Sequence, residues 1–398
     1  MTSLASDLPA ESRALIDRGD WSGLWAPQTD IALLNHGSYG RTFSAVRSLH
    51  AAIERQIDTD PARFYRHDHH DDVRAAADAL GSWLGVGPDT GVAFVHNSST
   101  GVLDAVVSLA EIDGPILVTN LGYGGIRHGL THLAPKLGRD VVDVAIESPD
   151  RAEDLPAAVV DAVRRLRPSV VVLDQITSAT ALRLPLESMI PDIRAASPQT
   201  RIVIDGAHAA GMEQTPVVDG ADVWVANLHK WVCTSIGAAV VVAPRGSDFR
   251  PGLSSWTSAE PFPDSFTWIG TDTKAAYLSS PLATETMTAL REAGLDDHIT
   301  SVLAEAGDAI AASWGVNPDP RPHDMRAKWM RLIETPMTRT FTQDDMDVAI
   351  RMIRDELKAD VNLTQFEGKA YLRLSAHGYN EVSQYERLVD IPTVLADF

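Results

Sequence analysis

The chain has 398 residues, enough for one large two-part domain or for two to three domains of ordinary size. Its composition, 44% hydrophobic and 22% charged, is typical of a soluble globular protein and excludes a disordered or fibrous one. The formal net charge of -20 disfavours nucleic acid as a partner, because phosphate backbones would be repelled. The longest apolar run, residues 236–243, is too short to span a membrane.

The only cysteine, Cys233, permits no intramolecular disulfide and no cysteine-rich metal site. The N-terminal segment has acids where a secretory signal has a basic start and an apolar stretch. We therefore expect an unexported, cytoplasmic protein without a metal, and we expect it to bind neither a membrane nor nucleic acid.

Residues 90–245 alternate short apolar strands with helical segments, which is the pattern of a mainly parallel sheet covered by helices. Strands are predicted at GVAFVHN, PILVTN, DVVDVAI, SVVVLDQI, RIVIDGA, DVWVANLH and AAVVVAP. After about residue 275, longer amphipathic helices and the strand KAYLRLSA predict a smaller α+β domain. We divide the chain into an N-terminal arm (1–30), a large domain (31–275) and a small C-terminal domain (276–398).

The polar residues that end the strands are the candidate site residues, because ligands of such sheets bind outside the carboxyl ends of the strands. Ser98, Ser99 and Thr100 end a strand and open a helix, where free N–H groups favour a phosphate; an ordinary helix cap is the alternative. Lys230 closes an apolar strand and precedes Trp231. A partly buried lysine has a lowered pKa and can form a Schiff base, whereas a strand-end lysine that reaches solvent is the alternative.

Asp205 strengthens the interpretation of Lys230 as a functional residue. It ends a neighbouring strand, 25 residues before the lysine. An acid there could pair with the protonated ring nitrogen of pyridoxal phosphate (PLP), a partner that this cofactor needs in order to accept electrons.

Seven motifs resemble, in family order, those of the class V aminotransferase superfamily, and they resemble its isopenicillin N epimerase-like branch most closely. They extend from residue 34 to residue 380, over nearly the whole chain. In chain order they are LNHGSYG (34–40), NSSTGV (97–102), TSATALRLP (177–185), DGAHAAG (205–211), NLHKW (227–231), WIGT (268–271) and LRLSAHGYN (372–380).

This resemblance implies a homodimeric α/β enzyme of fold type I that uses PLP, with a mainly parallel seven-stranded sheet in the large domain. Four residues would be catalytic: Lys230 as the Schiff-base residue, Asp205 at the ring nitrogen, His208 near the phenolic oxygen and Tyr123 on the ring face. The full set of residues implied to bind the cofactor is Ser98, Ser99, Tyr123, Ser178, Asp205, His208, Asn227, His229, Lys230 and, from the partner subunit, Thr271.

The resemblance also implies where the substrate binds. Arg373 would bind the substrate α-carboxylate, a role that suits the planar guanidinium; a surface arginine on an edge strand is the alternative. Asn35 and His36 match the motif that lines the substrate pocket. The small-molecule partner would be an amino acid or an amino-acid conjugate.

Two departures from the family pattern restrict the function. Where the branch usually reads Gly-Thr-Arg-Asp, this chain has Gly270-Thr271-Asp272-Thr273, so an arginine beside the shared site is missing. The cysteine desulfurases of the superfamily need a mobile loop cysteine in the C-terminal half. Cys233 lies only three residues after Lys230, which disfavours persulfide chemistry.

Competing interpretations remain open in the sequence. GYGGIR (122–127), with Asp143 further on, partly imitates a dinucleotide fingerprint but lacks its third glycine. His67, His70 and Asp71 would share one helical face and could bind a metal, although a solvated polar face is favoured. A non-catalytic PLP-binding protein is a further alternative.

We expect β-elimination from a cysteine S-conjugate, the reaction of a carbon–sulfur lyase, because Lys230 alone supplies the base that it needs. Epimerisation needs a second base, for which His36, Tyr39 or Tyr65 are the candidates. Transamination and a decarboxylating oxidative deamination are two further reactions that this chemistry leaves open. The resemblance implies a substrate of specialised, antibiotic-type metabolism, with side-chain specificity expected from the loops at 63–66 and 254–266.

Overall fold

The computed structural model describes residues 7–27, 29–337, 340–396 and 398. Its strands are β1 (Ala32–Leu33), β2 (Thr90–Val95), β3 (Ile116–Thr119), β4 (Val141–Val144), β5 (Val170–Asp174), β6 (Arg201–Asp205), β7 (Val223–Asn227), β8 (Ala239–Pro244), β9 (Met330–Glu334), β10 (Ala359–Asp360), β11 (Asn362–Phe366) and β12 (Lys369–Ser375). Its α-helices are α1 (Ala10–Asp17), α2 (His36–Tyr39), α3 (Ser44–Thr59), α4 (Pro61–Arg63), α5 (His69–Leu84), α6 (Ser98–Leu109), α7 (Gly124–Leu133), α8 (Leu155–Leu166), α9 (Leu186–Ala196), α10 (Ala275–Leu278), α11 (Ser280–Glu292), α12 (Leu295–Trp314), α13 (Gln343–Leu357) and α14 (Ile391–Val394).

The central sheet has seven strands in the order β2-β8-β7-β6-β5-β3-β4. All neighbouring pairs from β7 to β4 are parallel, and β8 runs antiparallel to both of its neighbours. The seven strands predicted from the sequence are therefore confirmed, together with the mainly parallel α/β architecture. Because six strands point the same way, their carboxyl ends meet at one rim of the sheet.

Helices cover both faces of this sheet. Along β5, Val170 and Val172 belong to one hydrophobic cluster, which includes side chains of α6 and α7. The alternate residues Val171 and Leu173 belong to a second cluster, which includes side chains of α8, α9, α11 and α12. Burial on both faces explains why the strands are continuous apolar runs, in which successive side chains point to opposite sides.

The C-terminal part of the chain contains an antiparallel sheet of three strands, in the order β11-β12-β9. The two residues just before the LNHGSYG motif join this part, because β1 pairs in parallel with β10. Helix α13 begins with a capping box, in which Thr342 and Asp345 each bind the backbone N–H of the other. The smaller α+β unit predicted after residue 275 thus includes a strand from the beginning of the chain.

The helices around residue 275 pack on the large part of the molecule. Helices α10 and α11 contact α3 and α5. The chain after residue 275 therefore still packs on the large part before it forms the C-terminal sheet. The division at 30/31 and 275/276 stays a prediction. Within the described ranges, none of the helices combines the length and the apolar character that crossing a bilayer requires.

Candidate active site

A cavity of about 1040 Å³ opens at the rim where the parallel strands end. Its inner wall is formed by the turns after β2, β3, β5, β6 and β7, together with Arg373 of β12. The outer wall comes from α13 and β11. The site residues predicted from the sequence that line it are Asn35, Ser98, Ser99, Tyr123, Ser178, Asp205, His208, Asn227, His229, Lys230 and Arg373.

Lys230 is half-buried at the centre of the inner wall, and its Nζ lies 3.1 Å from His208 Nε2. Burial, reinforced by the positive charge of Arg373, lowers the pKa of Lys230 to about 8, although Asp205 and Asp174 act in the opposite direction. Near pH 7 the protonated form is still the major one, but the neutral amine, which is the form that reacts with a carbonyl group, is far more abundant than in an ordinary lysine.

The surroundings of His208 fix which of its ring nitrogens carries the proton. The indole N–H of Trp231 donates to His208 Nδ1 at 3.2 Å, so Nε2 bears the proton in the neutral ring. Burial, followed by the charge of Lys230, lowers the pKa of His208 well below its ordinary value. His208 thus presents an N–H donor towards the Lys230 amine.

Two buried carboxylates lie at the ends of adjacent strands. Asp205 is 4% exposed and accepts the Ala207 backbone N–H at 2.9 Å; burial raises its pKa. Asp174 is its register partner on β5, is 7% exposed and also lines the cavity. Asp174 has no role among those implied by the motifs, although its position at the end of β5 is the signal by which it could have been found.

The N-terminus of α6 forms an anion-binding corner of the cavity. The side chain of Asn97 caps the helix through the Thr100 N–H at 2.9 Å, and Asn227 Oδ1 accepts the Ser98 N–H at 3.0 Å. Buried Ser98 Oγ and His229 Nδ1 have no hydrogen-bond partner among the described residues. Unpartnered donors beside a helix N-terminus fit the phosphate of PLP.

Arg373 is a nearly fully buried cation, 2% exposed. Its guanidinium donates to Ser178 O, to Asn35 Oδ1 at 3.2 Å and to Ser38 Oγ at 2.9 Å, all uncharged oxygens. Its Nε has no hydrogen-bond partner within the described ranges, and burial lowers its pKa to about 10. A buried guanidinium held by neutral acceptors favours binding of an anionic group, such as a substrate carboxylate.

The N-terminal motif supports the Lys230 loop from behind. His36 does not line the cavity; it is 3% exposed, and its Nε2 lies 3.0 Å from Lys230 O. His377 Nε2 lies 3.3 Å from Trp231 O on the same loop. Gly40, at φ +74°, passes so close to this loop that a Cβ would overlap His229 O. This contact explains why the motif needs a glycine there.

Thr271 is exposed and does not line the cavity of its own chain. Its neighbour Asp272 pairs with buried Lys274 at 2.6 Å and with His96 at 3.0 Å. The acid that replaces the family arginine is thus bound within its own chain. Donation of Thr271 by a partner subunit stays a prediction, as do the individual roles of the other site residues.

The two alternative sites predicted from the sequence lie differently: Gly122, Tyr123 and Gly124 of the GYGGIR segment line this cavity, whereas His67, His70 and Asp71 do not. Arg127 of the GYGGIR segment forms an ion pair with Asp143, the acid of the supposed dinucleotide fingerprint. His67, His70 and Asp71 are exposed at the start of α5 and in the π-helical turn before it.

The metal-type ligands that the described residues do bring together are buried His36, Cys233 and His377. In both histidines the ring nitrogen next to Cys233 is Nε2, and this atom also lies within hydrogen-bond distance of a backbone carbonyl. We therefore interpret the three residues as a structural hydrogen-bond cluster.

Known proteins resemble this chain over most of its length. No protein-family model matches the chain. A rice (Oryza sativa subsp. japonica) protein provisionally named L-cysteine desulfhydrase 2 is 25% identical over 411 residues, covering 92% of this chain and 85% of the relative. The L-cysteine desulfhydrase of Arabidopsis thaliana is 22% identical over 405 residues, covering 92% of this chain and 88% of the relative. The chain is thus similar over most of its length to proteins named L-cysteine desulfhydrase.

The solved structures confirm the predicted fold. A complex of the cystine C-S lyase C-DES with its reaction product, cysteine persulfide, has a TM-score of 0.69 at 16% identity. The match covers 92% of this chain and 98% of that one. This fold-type I architecture is the one expected from the motifs.

Proposed function

We propose that the protein is a PLP-dependent carbon–sulfur lyase that releases the sulfur substituent of L-cysteine or of a cysteine S-conjugate by β-elimination. The superfamily relatives named L-cysteine desulfhydrase support the reaction class. The observation that carries the proposal is the pairing of one lysine of lowered pKa with one buried arginine in a single cavity. These two groups provide a base and a carboxylate anchor.

The hydrogen-bond donors and acceptors of the cavity match the groups of PLP that they would bind. Ser98, Asn227, His229 and the N-terminus of α6 would hold the phosphate, and Asp205 would pair with the ring nitrogen. Tyr123, 49% exposed at the cavity surface, would cover the ring. When bound, PLP supplies an electron sink that stabilises negative charge at the substrate α-carbon.

Each protein group then has a definable task. Arg373 binds the α-carboxylate and thereby orients the substrate, because a planar guanidinium recognises a carboxylate through two parallel hydrogen bonds. The neutral amine of Lys230 removes the α-proton, which makes it the general base. The His208 Nε2–H donor lies 3.1 Å from the Lys230 Nζ and would donate to the lone pair of the neutral amine.

Elimination is favoured over epimerisation by the positions of the candidate second bases. His36 is buried behind the Lys230 loop. The Tyr65 hydroxyl donates to Asp272 O at 2.8 Å, and Tyr65 does not line the cavity. Tyr39 lines it but is 75% exposed at its mouth. A lyase needs no second base on the opposite face, so Lys230 suffices.

A homodimer with a shared site belongs to the same proposal. Thr271 is exposed, which leaves it available to a neighbouring subunit. Ile236, Leu253 and Trp256 are large apolar side chains that are 75%, 67% and 89% exposed, and such residues mark protein contacts when they cluster. Light scattering of the purified protein tests this arrangement.

A cytoplasmic location and a pathway-specific substrate of specialised metabolism are further proposals that rest on the sequence alone.

The test of the reaction is proton NMR in heavy water, with the PLP-loaded protein and a panel of cysteine S-conjugates and L-amino acids. Pyruvate and a thiol are expected from the conjugates. Lys230→Ala should abolish both products, whereas Lys136→Ala, which changes an exposed lysine elsewhere, should not. Deuterium exchange at the α-carbon without pyruvate would instead support an epimerase or aminotransferase. Release of carbon dioxide would support decarboxylation, and no change in any substrate would support a non-catalytic PLP-binding protein.

We expect side-chain specificity from a different part of the chain than the two loops named from the sequence. The segments at 63–66 and 254–266 do not line the cavity of this chain. The outer wall consists instead of residues 341–351 and 360–365, from α13, its cap and β11. Asn362 of β11 is the register partner of Arg373, so this wall adjoins the proposed carboxylate anchor. We therefore place recognition of the sulfur substituent on α13 and β11.

A further inference from the structure

The inner wall of the cavity contains one more carboxylate than the motifs assign. Asp174 and Asp205 end the parallel strands β5 and β6 and are direct register partners. Partners in a parallel pair point to the same face of the sheet, so the two side chains leave it next to each other. Both are more than nine-tenths buried, and both line the cavity.

The charged and titratable groups near this pair do not all act on both carboxylates. Lys230 is the cation that acts on both carboxylates. Beyond it lie Arg373, whose hydrogen bonds go to uncharged oxygens, and the histidines His208 and His229, whose pKa values burial lowers. Two adjacent buried carboxylates repel each other, so one of them retains a proton at a pH where an isolated acid would lose it.

The two members differ in their surroundings. Asp205 accepts the Ala207 N–H at 2.9 Å, which stabilises its ionised form. Asp174 also receives a backbone N–H, from Tyr123, but burial and the charge of Asp205 raise its pKa well above the ordinary value. Burial raises the pKa of Asp205 as well, but its hydrogen bond from Ala207 favours the charged form. We therefore assign the proton to Asp174.

We propose that Asp174 is the protonated member of a buried carboxylate pair and a positioning residue that allows Asp205 to remain ionised. The inference rests on the proposed function in that an ionised Asp205 is the group expected to pair with the PLP ring nitrogen. A single proton between the two acids would hold that charge in place before the cofactor arrives. The same proton would give Asp174 a hydrogen-bond donor directed into the cavity.

Infrared spectroscopy of the cofactor-free protein tests the pair directly. At pH 7.5 we expect a carbonyl stretching band of a protonated carboxylic acid that shifts on exchange into heavy water. Asp174→Asn should remove this band. Asp104→Asn is the matched control, because Asp104 is a half-buried acid elsewhere with a pKa raised to about 6, and it should leave the band intact. A wild-type spectrum without the band, or a band that persists in Asp174→Asn, would overturn the proposal.

Cofactor titration provides the second measurement. Asp174→Asn replaces a neutral acid with a neutral amide of the same size, so the Kd for PLP should rise by no more than about 10-fold. Asp205→Asn removes a charged partner and should raise it by about 100-fold. Equal losses in the two variants would refute the assignment of the proton to Asp174.

The two proposals can fail separately. The infrared band is measured without cofactor, so its absence overturns the carboxylate pair and has no bearing on the lyase activity. Failure of the wild-type protein to bind PLP would refute the proposed function, whereas the band would still report the shared proton. The wild-type spectrum is decisive even if a variant does not fold, since the absence of the band alone is sufficient to reject the pair.

Discussion

The lowered pKa of Lys230 predicts that the proposed catalytic lysine destabilises the folded protein. Burial and the charge of Arg373 lower it from 10.5, the ordinary value, to about 8. The folded state therefore resists protonation of this amine more than the unfolded state does. This cost is fully present below pH 8, declines as the pH rises, and disappears above the pKa of the unfolded chain. Replacement of Lys230 by the uncharged side chain of methionine should remove it.

The magnitude follows from the size of the shift. A difference of one pKa unit corresponds to about 1.4 kcal/mol, so Lys230→Met should stabilise the cofactor-free protein by about 3 kcal/mol at pH 7. At pH 9.5 the folded amine is already mostly neutral, and removing the proton from an amine with the ordinary pKa of 10.5 costs only about 1 kcal/mol, so the expected gain falls to about 1 kcal/mol. The gain comes together with loss of the reactive amine, as is common when an active-site charge is neutralised.

The assay is urea unfolding of the cofactor-free wild type and variant at equal protein concentration, at pH 7 and at pH 9.5. Taking the difference between the two proteins at each pH cancels the titration of all other groups. Lys136→Met, an exposed lysine, serves as the matched control and should show no pH-dependent difference. A Lys230→Met protein that is less stable at pH 7, or a difference that does not change with pH, would refute the reasoning.

Three further variants test the site. Lys230→Ala should lose the covalent cofactor, seen as loss of the visible absorption band and of the borohydride-fixed mass adduct; an unchanged band would rule out Lys230 as the attachment site. Arg373→Ala should raise KM by about 100-fold, the loss of two charge-assisted hydrogen bonds, while PLP remains bound; a selective loss of PLP would indicate a structural role. Gly40→Ala should lower the thermal midpoint and cofactor occupancy together, because the new methyl group overlaps His229 O; a midpoint equal to that of the wild type would contradict the observed close approach.

Local sequence patterns sufficed for the framework of the protein. Continuous apolar runs such as VVVLD and RIVID predict strands buried on both faces, and the alternation with helices predicts a mainly parallel sheet. That topology places the carboxyl ends of its strands at one rim, so residues as distant in sequence as Ser98 and Lys230 could be expected to lie in one cavity. The motifs then supplied their expected roles.

Tertiary structure decided what depends on contacts between distant segments. Nothing near His36 in sequence shows that its ring faces the Lys230 carbonyl instead of the cavity. The outer wall could not be predicted either, because α13 and β11 approach the cavity only through packing of the C-terminal part on the large sheet. The pairing of Asp174 with Asp205 depends on the register of two strands, since a shift by one residue would turn either side chain to the opposite face. Charge, burial and protonation are properties of such neighbours, and the linear sequence does not contain them.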